Sequence, residues 1–98
     1  MSVQVIIQKE VDVDGQIRWV GLASLKKDED QTRILVFPHQ GGFKGVALLC
    51  KHAGAPLTYS TISDDLIICP LHGFQFDLNG EYGIGFDVER HGDDFIIP

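Results

Sequence analysis

The chain has 98 residues, 44% hydrophobic and 22% charged, the profile of one small globular domain that buries its own core with little margin. Acidic residues outnumber basic ones 14 to 8, for a formal charge of −6, which argues against a nucleic-acid backbone or an anionic membrane as partner. Residues 1–10 hold no basic n-region or cleavage site and no apolar run is long enough to span a bilayer, so the expectation is one cytoplasmic domain over residues 1–98.

Apolar residues come in short runs that predict strands. Val3, Val5 and Ile7 alternate with Gln4 and Gln8 on either side of Ile6, a period-two pattern with one face buried. Asp14-Gly15 then marks a hairpin, because both residues tolerate positive φ. Ile17 and Trp19 alternate with Gln16 and Arg18. Residues 24–31 fit one helical turn or a solvated loop equally well. Runs at 34–37 and 46–49 are continuous, with Gly41-Gly42 between them, and predict strands buried on both faces. Ser63-Asp64-Asp65 predicts a turn before the continuous run 66–68. Phe74, Phe76 and Leu78 alternate with Gln75, Asp77 and Asn79, and Phe86 and Val88 with Asp87 and Glu89. Asn79-Gly80 and His91-Gly92-Asp93-Asp94 predict turns, and residues 95–97 a last buried strand. No segment sustains a 3.6-residue period. The fold class is all-β.

The two cysteines carry the chemistry. Cys50-Lys51-His52 is followed, after residues 53–68, by Cys69-Pro70-Leu71-His72. Thiolate and imidazole are ligands that both iron–sulfur clusters and zinc accept. Each pair follows an apolar run, so loops from neighbouring strands can close on one metal centre. A disulfide or a structural zinc site stays open from the residues alone, although zinc modules usually space their ligands as C-x₂₋₄-C and H-x₃₋₅-H. His39 and His91 read as surface residues. Asp28-Glu29-Asp30, Asp64-Asp65 and Asp93-Asp94 read as solvated turns, and Phe74 and Phe76 as core. Gly83-Ile84-Gly85 lacks the third glycine of a dinucleotide loop.

The segments Cys50-Lys51-His52-Ala53-Gly54-Ala55-Pro56-Leu57 and Cys69-Pro70-Leu71-His72-Gly73-Phe74-Gln75-Phe76 resemble the two cluster loops of Rieske proteins. The likeness includes Gly54, Leu57, Pro70, Gly73 and Phe76 as well as the ligand positions. It implies small antiparallel sheets with two cluster-binding loops and one [2Fe–2S] cluster. Cys50 and Cys69 would hold one iron as thiolates, and His52 and His72 the other as imidazoles. Replacing anionic thiolates by neutral imidazoles raises the potential above that of plant-type ferredoxins.

Three departures from the family pattern matter. Ala55 and Leu71 stand where cytochrome bc Rieske subunits carry a further disulfide. Phe74 and Phe76 stand where those high-potential subunits carry hydroxyls, which implies a potential towards roughly −150 mV. Residues 80–85 (GEYGIG) lack the proline of the usual covering loop, which leaves the shape of that cover open.

With no room seen for a mononuclear iron, flavin or nicotinamide site, the resemblance implies an electron carrier rather than an enzyme. It would pass one electron from a flavin-dependent reductase to a terminal oxygenase. The alternatives are a small Rieske-like subunit of an NAD(P)H-dependent nitrite reductase and, in another class, a zinc-binding interaction module. The acidic surface favours a partner with a basic docking face, or serves solubility alone.

Overall fold

Nine strands and no helix form among the described residues of the computed structural model, which are 2–24, 31–50, 54–70, 73–80 and 83–98. Six strands, β1 (Val3–Val13), β2 (Gln16–Ala23), β3 (Thr32–His39), β4 (Gly42–Ala47), β8 (Phe86–His91) and β9 (Asp94–Ile97), close an antiparallel barrel in that order. The other three, β5 (Thr61–Ser63), β6 (Leu66–Ile68) and β7 (Gln75–Asp77), make a separate antiparallel sheet. The all-β expectation holds. Residues 25–30, most of the segment that fitted either a helical turn or a loop, lie outside the described residues.

Turn chemistry sets the barrel's register. Val13 pairs with Gln16, leaving Asp14 at φ 52° and Gly15 at φ 84°, the paired positive φ values of a two-residue hairpin. Asp12 supports it by accepting the Gly15 amide at 2.8 Å. Between β3 and β4 the same turn uses Gln40 at φ 49° and Gly41 at φ 80°. Gly42 already pairs with His39, one residue earlier than the Gly41-Gly42 turn expected from sequence.

Two cores follow from alternation along these strands. Trp19, Ile34, Val36, Val88 and Phe95 are buried together with Val5 and Ala23, and strands from around the whole ring contribute, so this core fills the barrel. Val20, Leu35, Phe37 and Val46 occupy the intervening positions and bury the outer face of β2–β4 against Leu57, Ile67 and Leu78. β3 is therefore buried on both faces, and Ile34, Leu35, Val36 and Phe37 are all 0% exposed. β1 joins both cores through an irregularity. Its register shifts between Ile7 and Lys9, and an extra residue moves later side chains to the opposite face. Val3 and Ile7 thus pack inside the barrel, while Val11 packs outside it.

Other continuous runs are buried on one side only. β4 ends at Ala47, Leu48 is buried and Leu49 is exposed. In β6 only Ile67 is fully buried, and in β9 only Phe95. A run of three apolar residues here has a half-covered face, not two covered ones.

Candidate metal centre

Both cysteine segments are built on one hydrogen-bonding plan. The chain leaves β4 through Leu48, whose amide donates to the Arg33 carbonyl at 3.0 Å and whose carbonyl accepts the Leu57 amide at 2.7 Å. Leu49 bridges Pro56. Inside that neck the Cys50 amide donates to the Ala55 carbonyl, and the Gly54 amide to the Cys50 carbonyl, both at 2.7 Å. The second segment crowns the β6–β7 hairpin, where Ile68 pairs with Gln75 and the Cys69 amide donates to the Phe74 carbonyl at 2.7 Å.

In each loop the residue before the closing carbonyl is a glycine in the left-handed region, Gly54 at φ 68° and Gly73 at φ 67°. Glycine reaches that conformation without the steric cost of a Cβ.

The loops meet in one apolar wall. Cys50 is 3% and Cys69 1% exposed. Both belong to the cluster of Leu48, Leu57, Ile67 and Leu78, with Phe76 and Ile84 packed against it. His52 and His72 lie outside the described residues. Among the described residues no set of three or more His, Cys, Asp or Glu gathers as a metal site. The donor chemistry fits an iron–sulfur group: two soft thiols reach one low-dielectric wall from loops whose necks are held by backbone hydrogen bonds.

Two polar side chains, Arg18 and Asp65, fasten this unit to the barrel. On the side of the first loop, Arg18 of β2 is 5% exposed, and its Nη1 donates to the carbonyls of Thr58 and Ser60 at 2.8 Å each. Burial pushes the Arg18 guanidinium below its ordinary pKa, and the Asp14 carboxylate works in the opposite direction. On the side of the second loop, Asp65 stands between β5 and β6. Its Oδ1 accepts Gln40 Nε2 and Asn79 Nδ2 at 2.9 Å each and lies 3.2 Å from His39 Nε2.

Asp65 is thus more than a solvated turn. His39, its side chain 8% exposed, is not a surface residue. His91 is one, with its side chain 62% exposed. Neither Arg18 nor Asp65 was legible as an anchor. Arg18 reads as the polar half of an alternating strand, and the turn at Thr58 and Ser60 that receives it lies 40 residues on in the chain.

An all-β frame that brings two buried thiols to one wall is compatible with a small iron–sulfur domain of the electron-transfer kind, and a family comparison gives the class. The model of the Rieske [2Fe-2S] domain family matches residues 3–85, from the start of β1 to the residue before β8. The chain belongs to that family, and its cofactor is one [2Fe–2S] cluster, which replaces zinc as the metal to consider. No curated protein matches it. Among the described residues no helix is long and apolar enough to cross a membrane.

Proposed function

We propose that Cys50, His52, Cys69 and His72 hold the cluster, and that the protein is a cytoplasmic shuttle. In this reading it takes one electron from a flavin-dependent reductase and delivers it to a terminal oxygenase. The observation that carries the reading is the shared loop plan, which delivers both cysteines into one buried wall. The bound cluster supplies reversible one-electron chemistry.

The chain's own residues do the rest. Leu57, Ile67 and Leu78, each no more than 1% exposed, exclude water behind the thiols. Phe74, expected from sequence to be core, is instead 47% exposed, and with Leu49 at 43% it lies beside the cysteine loops; exposed apolar side chains at such a place suit transient contact with a partner. The net charge of −6 gives a partner with a basic face a steering advantage.

Salt dependence tests the shuttle. Electron transfer from a flavin-dependent reductase is expected to slow steeply as ionic strength rises, with no complex surviving gel filtration in high salt. A stoichiometric partner that persists in high salt would instead identify a fixed subunit, as in a nitrite reductase.

The potential has its own test. Phe76 is half-buried against the wall that holds both cysteines, and it offers no hydroxyl. Phe76→Tyr is expected to raise the midpoint potential by about 60 mV, since one hydroxyl bond to the reduced form worth ~1.4 kcal/mol corresponds to that shift for one electron. An intact cluster with an unmoved potential in protein-film voltammetry would show that this side chain does not reach the cluster's sulfur.

A further inference from the structure

Arg18 is a buried cation that feels the Asp14 carboxylate only through space and, among the described residues, makes no ion pair. Its Nη1 is spent on two backbone carbonyls. Among the described residues, neither its Nε nor the Oγ of Ser60 has a hydrogen-bond partner, and both are buried. Such a group costs desolvation that an apolar side chain of similar length would avoid. A role beyond filling space would offset that cost.

The two carbonyls sit at a telling place. Thr58 and Ser60 belong to the turn closed by the Ser60 amide on the Leu57 carbonyl at 3.0 Å. Leu57 is the residue whose amide locks the neck of the first loop through Leu48, and its side chain is buried in the wall with Cys50 and Cys69. A short path therefore runs from the Arg18 guanidinium through Thr58, Leu57 and Leu48 to Cys50. The Nη1 atom of one planar fork fixes two carbonyls at once, which a single flexible ammonium does less rigidly. β2, the platform for this grip, is itself paired along its length with β1 and β3.

We propose that Arg18 is a positioning residue for the cluster: by clamping Thr58 and Ser60 to β2, it holds the first ligand loop, and with it Cys50, at a fixed place relative to the second. This rests on the ligand assignment made above. Arg18 binds the Thr58 and Ser60 carbonyls and acts on Cys50 only through the loop's neck. A cluster whose thiolate is held by a slackened loop has a less uniform iron environment and a more accessible iron.

The test compares wild type with Arg18→Met and Arg18→Lys, all made with iron supplied and air excluded. Arg18→Met keeps length and apolar stem but no donor, and Arg18→Lys keeps the charge with a poorer grip. In Arg18→Met we expect iron release to a chelator to accelerate at least tenfold, at a temperature where the fold is intact. The electron paramagnetic resonance lines of the reduced protein should broaden, and Arg18→Lys should fall between. A lowered urea midpoint with native line shape and native release rate in Arg18→Met would overturn the proposal, leaving Arg18 a structural residue only. Should Arg18→Met fail to fold, Arg18→Lys decides alone: native lines and release refute the clamp, and broadened lines with faster release uphold it. A wild-type sample that folds under these conditions without iron refutes the ligand assignment itself, a failure visible before either variant is measured.

Discussion

Cys69→Ala is expected to give a colourless protein without iron or acid-labile sulfide, and one markedly less stable than wild type. Cys69 is 1% exposed among Ile67, Leu57 and Leu78, so alanine keeps an apolar side chain there and removes only a sulfur atom. The packing cost of so small a deletion is about 1 kcal/mol. Ligands gathered in the folded state but scattered in the unfolded one make cluster binding part of the folding free energy. The loss of stability should therefore exceed the packing cost by several fold.

Chelated wild type separates the two contributions. Stripped of iron, it should unfold within about 1 kcal/mol of Cys69→Ala, because only the packing difference remains. Iron and sulfide analysis with urea titrations of the three samples would check this. A Cys69→Ala protein that keeps the wild-type iron content would remove Cys69 from the ligand set.

What sequence pattern can reveal depends on where a contact comes from. The run at 34–37 was legible as a doubly buried strand because four consecutive apolar residues have no solvent face to offer. The two cysteine-bearing loops were legible because cysteine, glycine and proline positions are all local signals. Asp14-Gly15 was legible for the same reason.

The failures are equally physical. The shift between Ile7 and Lys9 sends Val11 to the outer core, and nothing in an alternating run says where an extra residue is absorbed. β5 was missed because Thr61 and Ser63 flank a single apolar residue, and it is a strand only through pairing with β6. At the β3–β4 turn Gln40 takes a positive φ that glycine would have advertised. Arg18 and Asp65 act across the junction of barrel and sheet, and a contact between residues 40 apart in sequence leaves no local trace. What tertiary docking decides, local pattern does not carry.

After β7, residues 78–80 and 83–85 are tightly constrained although the sequence there has no proline. The Leu78 amide donates to the Asp65 carbonyl at 2.8 Å, the Ile84 amide to Asp77 at 2.8 Å and the Gly85 amide to Leu78 at 3.1 Å. The chain thus folds back on itself closely enough that a Cβ on Gly83 would stand 2.5 Å from the Asn79 oxygen and 2.6 Å from its carbonyl carbon. These are backbone atoms and cannot swing aside.

Gly83→Ala is therefore expected to cost about 3 kcal/mol, the upper part of the usual overpacking range. Its effect should reach the cluster, because Ile84 packs on the wall that holds both cysteines, and iron release should quicken. Gly80 supplies the comparison. A Cβ there meets nothing within 4 Å, and only its φ of 90° opposes substitution, so Gly80→Ala should cost about 1 kcal/mol in backbone strain. Urea unfolding of both variants decides between the two causes. Equal costs would mean that backbone conformation alone selects glycine here, whereas a clearly larger loss at Gly83 would show that close approach to the Asn79 backbone selects it.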